Sequence, residues 1–229
     1  MGGFDNATMV KINNKEVDSI KTNDGGIIYQ RPASVVVTGN SITLGKTLSG
    51  WLTTNGNVII NWGDGTSNTV NNPLSPLTHT YTDNKSNHTI TFVGIITQLK
   101  DTFEQSNIVS IVVPDGVITL GIYCFMGCTN LNLITLPNSV TSLGNYCFYN
   151  CTNLASIVIP NSVTSLGSHC FYGCTALVNY QLYWTGNDII TYGSNIMPNN
   201  TNTKFYVPKG QKTNYVNKSY PSDKIVERS

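Results

Sequence analysis

Charged residues are scarce in this chain, 11% of 229 against roughly 25% in an average soluble domain. Lys and Arg number 13, Asp and Glu 12, for a net charge of +1. With no basic surplus to neutralise phosphates, nucleic acid is not an expected partner. No apolar run approaches the ~18 residues that cross a bilayer, so membrane insertion is not expected. The opening Met1-Gly2-Gly3-Phe4-Asp5 lacks the charged-then-apolar layout of a secretion signal. Glu and Lys, which support long surface helices, are few, and Asn, Thr, Ser and Gly take their place. That composition suits turns and short strands, and predicts a mainly β protein.

What the chain does have is a repeat. Pro114, Pro137 and Pro160 are 23 residues apart, and the same step relates Gly121, Gly144 and Gly167, then Phe125, Phe148 and Phe171. It also relates Cys124, Cys147 and Cys170, and Cys128, Cys151 and Cys174. A further step of 23 reaches Tyr183, and Pro208 follows 25 later. The spacing predicts five stacked strands that end at Pro114, Pro137, Pro160, Tyr183 and Pro208. A unit of this length cannot bury its own apolar face, so neighbouring units must supply the core, which defines a solenoid.

Alternation within each strand turns Ile111, Val113, Ile134, Leu136, Ile157 and Ile159 inward. It turns Ser110, Val112, Leu133, Thr135, Ser156, Val158, Asn179 and Gln181 outward, as one low-charge candidate binding face. The Leu-Gly-x-x-Cys-Phe segment is too short for an ordinary helix and reads as a turn of 3₁₀ or α-helix, with each Phe packed on the next. A second candidate face consists of two columns, Tyr123, Tyr146 and His169 beside Met126, Tyr149 and Tyr172. Such rings stack on sugars or make amphipathic protein contacts, or they simply cover the Phe spine. The columns lapse at Asn195 and Pro198, in the register that Gly193 sets.

Residues 114 to 208 resemble the BspA-type leucine-rich repeat, close to I-P-x-x-V-x-x-I-G-x-x-A-F-x-x-C-x-x-L-x-x-I. The match falls on Pro137, Val140, Leu143, Gly144, Phe148, Cys151, Leu154 and Ile157. Cys124, Cys147 and Cys170 stand where that family usually has Ala. The segment from Phe205 through Tyr215 to Ile225 is similar to the family's closing unit, a last strand and a short capping helix. Upstream, Trp62-Gly63-Asp64-Gly65-Thr66 followed by His79-Thr80-Tyr81 resembles the PKD-type immunoglobulin-like sandwich, which implies that Trp62 and Tyr81 are core residues.

The expected order is a leader segment of short hairpins (1–32), a PKD-like β-sandwich (33–96), leucine-rich repeats (97–208) in about five 23-residue coils, and a C-terminal cap (209–229). Six Cys in a C-F-x-x-C pattern invite a disulfide or zinc reading. Neighbouring coils bring like residues within disulfide range by distance, but no His or extra Cys completes a tetrahedral site. Core thiols are the preferred reading.

No catalytic residue, metal site or cofactor is expected. Between Val109 and Pro208 the only carboxylates are Asp115 and Asp188 and the only imidazole is His169, too few for paired-acid or triad chemistry. Asp64 with Asp83 is a conceivable Ca²⁺ pair, though an Asp in a Gly-Asp-Gly-Thr turn more often bonds its own turn.

The expectation is therefore a non-enzymatic recognition or adhesion protein of a microbial cell surface or virus particle. Its solenoid would bind a neutral glycan or protein surface. The alternative is a structural component such as a phage or archaeal-virus tail or fibre protein.

Overall fold

The computed structural model describes residues 11–12, 15–16, 19–21, 27–30, 33–45, 52–183, 191–192, 194, 202–216 and 222–228. Two small hairpins come first. β1 (Lys11–Ile12) pairs with β2 (Lys15–Glu16), and β3 (Ser19–Lys21) with β4 (Ile27–Gln30), both antiparallel.

An antiparallel unit follows, with β5 (Ala33–Thr38), β6 (Ser41–Leu44), β7 (Leu52–Asn61), β8 (Ser67–Val70), β9 (Leu77–Thr80) and the 13-residue β10 (Asn87–Leu99). β10 runs between β5 and β7, β7 also pairs with β8, and β6 pairs with β9. Apolar residues alternate along β10, so Ile90, Phe92 and Ile96 turn into a core with Val35, Val37, Ile60, Trp62 and Tyr81, and His88 is buried on the same side. Trp62 and Tyr81, which the PKD resemblance implies are core residues, are 0% and 4% exposed. The β7–β10 register slips at Gly94, which sits at φ +146°, and a Cβ there would lie 2.7 Å from the Asn57 carbonyl oxygen. Only glycine lets the two strands approach so closely.

The solenoid is built on two parallel ladders. One comprises β11 (Ile108–Val112), β13 (Leu133–Thr135), β15 (Ser156–Ile159), β17 (Asn179–Leu182) and β19 (Lys204–Val207), with β20 (Ile225–Glu227) after the five-residue helix α1 (Lys212–Val216). The opposite ladder is made of two-residue strands, β12 (Thr119–Leu120), β14 (Ser142–Leu143), β16 (Ser165–Leu166) and β18 (Thr191–Tyr192). The result is a mainly β protein with a solenoid of about five turns and very little helix.

Between the ladders lies the aromatic spine. Phe125 stacks on Phe148 at 5.2 Å and Phe148 on Phe171 at 5.3 Å, with interplanar angles of 7° and 1°. Gly144 allows this spacing, since a Cβ there would lie 2.5 Å from the Gly121 carbonyl carbon. Both Cys columns are buried beside the spine. The second column satisfies spine carbonyls, as the Cys128, Cys151 and Cys174 thiols donate to Phe103, Phe125 and Phe148 at 2.9, 3.1 and 2.9 Å. Burial pushes the Cys128 thiol up to about 12 and those of Cys147, Cys151 and Cys170 well above the ordinary range.

Three features depart from the sequence reading. The Leu-Gly-x-x-Cys-Phe segment is a chain of turns, not a helix. Tyr123, Tyr146 and His169 occupy the left-handed region at φ 59°, 55° and 57°, which interrupts helical winding. Alternate N–H groups instead bond to the next coil, Tyr123 to Asn145, Phe125 to Cys147 and Gly127 to Tyr149. Secondly, the Phe spine and the turn ladder beside it begin a coil earlier than the prolines suggest. Phe103 stacks on Phe125 at 5.4 Å, and the Asp101, Phe103 and Gln105 N–H groups bond to Ile122, Cys124 and Met126. Thirdly, the strand face is not one unbroken ladder: β13 pairs with β11 and β15 with β17, but β13 and β15 fall in different sheets. The β12–β14 pairing and the Phe125–Cys147 bond hold the coils in register there.

Candidate functional site

All eight outward strand residues stand on the face that alternation assigns them. Leu133 and Val158 are 58% and 43% exposed, and Ser110, Val112, Asn179 and Gln181 are half-buried. In the C-terminal half of this face β19 adds Tyr206, next to Gln181, and β20 brings the chain to Arg228. Here Ser156, Asn179, Gln181, Tyr206 and Arg228 line a cavity of about 390 Å³, at the small end of ligand sites. The Arg228 guanidinium lies 3.8 Å above the Tyr183 ring and donates to the Leu182 carbonyl. The Tyr183 hydroxyl approaches Gln181 Oε1 at 3.4 Å. Sequence reasoning missed Tyr183, Tyr206 and Arg228. Tyr206 was legible as the register partner of Gln181, but Arg228 lies beyond the last proline, where no repeat signal reaches.

The tyrosine columns form a single patch. Tyr146 stacks on His169 at 5.0 Å and Tyr149 on Tyr172 at 5.7 Å, while Tyr146 and His169 meet Tyr149 and Tyr172 edge-on at 5.6 and 5.8 Å. Tyr123 completes it, 5.6 Å from Tyr146. Tyr172 is 37% exposed, and Tyr123, Met126, Tyr146, Tyr149 and His169 are half-buried. Gly193, Asn195 and Pro198, where the columns were expected to lapse, lie outside the described residues, as does Asp188.

In the antiparallel unit the Asp-Gly turn joins β7 to β8 and uses its carboxylate internally. Asp64 Oδ1 accepts from the Thr66 hydroxyl and N–H at 2.7 and 2.9 Å, and Oδ2 from His79 Nε2 at 2.7 Å. The Thr66 hydroxyl above all, with the Thr66 N–H and the His79 ring, holds the Asp64 carboxyl far below the usual carboxylate range. Asp83 accepts from His88 Nε2 at 2.6 Å, which lowers its pKa in the same way. The two imidazoles belong to one column of rings: His79 stacks on Trp62 at 4.6 Å and His88 on Tyr81 at 3.4 Å. Burial first, then the charges of Asp64 and Asp83, push the Tyr81 phenol up to about 12. Asp64 and Asp83 are thus each bonded to a different histidine. Among the described residues no group of three or more His, Cys, Asp or Glu is placed to hold a metal ion, and no helix is long and apolar enough to cross a membrane.

Two parallel ladders around a phenylalanine spine define a leucine-rich-repeat solenoid. The model of the BspA type leucine rich repeat region matches residues 98–220 in 6 copies, more than half of the 229 residues, and the chain belongs to that family. The matched region takes in the extra coil carrying Phe103. Solved structures with likeness to this chain include three bacterial proteins. A T. pallidum leucine-rich repeat protein is 22% identical over 48% of this chain and 62% of its own, at a TM-score of 0.38. A leucine-rich repeat protein from Bacteroides ovatus is 28% identical over 52% and 30%, also at 0.38. The pneumococcal vaccine antigen PcpA is 18% identical over 58% and 39%, at 0.45. The chain thus spans less than two thirds of the length of each. No curated protein matches it.

Proposed function

We propose that this chain is a non-enzymatic recognition or adhesion protein, displayed on a microbial cell surface or carried on a virus particle, whose repeat solenoid binds a glycan or protein surface of low charge. The observation that carries this reading is the outward strand face. Solenoids bind through such surfaces, and this one exposes Leu133 and Val158 with Thr135 between them in a molecule poor in charge. The PKD-like sandwich of residues 33–96, a reading its buried Trp62 and Tyr81 support, acts as a spacer. The C-terminal segment 209–229 caps the solenoid, supported by the pairing of β20 with β19.

The test is an array of neutral glycans and purified surface proteins probed with the parent chain, Thr135→Asp, Val158→Asp, and the pair Tyr149→Asp and Tyr172→Asp. A neutral partner must desolvate the new charge, so Thr135→Asp or Val158→Asp should weaken binding roughly tenfold or more while folding survives. A ligand insensitive to all four changes would place recognition on the sandwich or the N-terminal hairpins.

The junction between the antiparallel unit and the solenoid favours a second reading. β11 pairs directly with β5, and β12 with the end of β10, a joint suited to a structural component such as a virion tail or fibre protein. Assembly of the purified chain into rods under the electron microscope, with no glycan or protein captured on the array, would favour this reading.

A further inference from the structure

The cavity on β15, β17 and β19 differs from the rest of the strand face in carrying a cation. Its lining offers hydrogen-bond donors almost throughout, namely the Arg228 guanidinium, the Asn179 and Gln181 amides and the Ser156 and Tyr206 hydroxyls, and among the described residues no carboxylate. Arg228 is oriented by the Leu182 carbonyl and held over the Tyr183 ring, which uses part of a five-donor group and, among the described residues, leaves the remaining N–H groups for a ligand. Tyr183 engages Gln181 through its Oε1, so the Gln181 NH₂ end remains as a donor. The nearest acid along the chain, Glu227, is bonded to the Lys212 N–H. Lys204, exposed and in register with Asn179, adds a second positive charge at the rim.

A planar fork on an aromatic base matches a carboxylate bidentately. The surrounding amides and hydroxyls match vicinal hydroxyl groups, and the Tyr206 ring offers a face for the apolar side of a sugar. We infer that this cavity binds a sugar acid, a pyranose bearing one carboxylate, with Arg228 holding the carboxylate and Ser156, Asn179, Gln181 and Tyr206 the ring. This rests on the proposal that the strand face is the recognition surface, and narrows the low-charge ligand proposed there to one carrying a single negative charge.

The test uses the full chain and the probes glucuronate, glucose and acetate, read as shifts of the Asn179 and Gln181 side-chain amide signals in nuclear magnetic resonance. Glucuronate should shift these signals saturably, with glucose and acetate each at least roughly tenfold weaker, the cost of losing a charge-assisted pair or the ring contacts. Arg228→Gln should lose the preference for glucuronate over glucose. Asn179→Asp, a substitution of a half-buried outward side chain, should repel the carboxylate and abolish binding with the fold intact by circular dichroism. Glucuronate without effect, acetate as strong as glucuronate, an undiminished preference for glucuronate in Arg228→Gln, or undiminished binding in folded Asn179→Asp, read at Gln181, would each overturn the assignment. Thr135→Asp lies outside the cavity. If it weakens an array ligand while glucuronate fails, the cavity falls and the strand face stands; if glucuronate binds while Thr135→Asp changes nothing on the array, the wider face falls.

Discussion

Phe148→Ala probes the solenoid at its centre. The ring is fully buried and lies parallel between Phe125 at 5.2 Å and Phe171 at 5.3 Å. Truncating a buried Phe costs about 3 to 5 kcal/mol, and the value within that range depends on how far the surroundings collapse. Collapse is resisted here because the Phe125 and Phe148 N–H groups are each bonded at 2.8 Å to the next coil, which pins the neighbouring backbone. The two stacked contacts, roughly 0.5 to 1.5 kcal/mol each, are lost with the ring. The expected loss is therefore about 4 to 5 kcal/mol. Since each coil is stabilised by its neighbours, the damage should propagate as reduced cooperativity. Urea denaturation followed by circular dichroism should show an earlier and broader transition. Hydrogen exchange should accelerate first at the amides of 123–127 and 146–150. A loss under about 1 kcal/mol with an unchanged transition slope would refute the argument that the spine carries the solenoid.

The six thiols should not react with Ellman's reagent at pH 8 in the folded chain, because all six are buried away from the reagent, and for Cys128, Cys147, Cys151 and Cys170 burial also disfavours the thiolate that attacks; all six should react together in denaturant, and rapid native labelling of any one would contradict this. The carboxyls of Asp64 and Asp83 have folded pKa values below their ordinary 3.8. Their contribution is thus fully present at neutral pH and is lost as pH falls from about 5 through the depressed folded values. Asp64→Asn should lower the urea midpoint at pH 7 and flatten its decline between pH 7 and pH 3, and a variant as acid-sensitive as the parent would rule out this role.

The middle of the solenoid was legible because Gly144, Cys147, Phe148 and Cys151 recur at a fixed step on either side, and a stack of equal coils tolerates no drift in that step. The place of Phe103 in the spine left no such signal, although the expected repeat range of 97–208 includes it, for the same reason reversed. Leu99 pairs with Leu120 and Phe103 stacks on Phe125, offsets one or two residues short of 23, and Thr102 and Ser106 stand where later coils have Cys. Where the Cys counterparts direct their thiols at spine carbonyls, the Ser106 hydroxyl donates to the Thr43 carbonyl at 3.2 Å, so its departure from the pattern follows from facing a different neighbour. The opposite ladder left no signal, since two residues per strand are too few for an alternation to register. Both candidate faces could be assigned by period, but the cavity could not. It needs Arg228, brought back by β20 after α1, a tertiary arrangement that no local pattern encodes.

The shared strand β10 has a mechanical consequence. Its first half is sandwiched between β5 and β7, its last two residues start the ladder that runs through β12, and β5 also holds β11. No stretch of free chain separates the two parts at that seam, and the aromatic spine crosses it from Phe92 to Phe103. A hinge requires a few residues free to change their backbone angles, and here those residues are tied into sheet on both sides. The joint therefore behaves as a weld. Pulling on the far end of the solenoid loads β5 and β10 in shear rather than bending a linker, and the strand face keeps a fixed orientation relative to the antiparallel unit until the seam itself breaks.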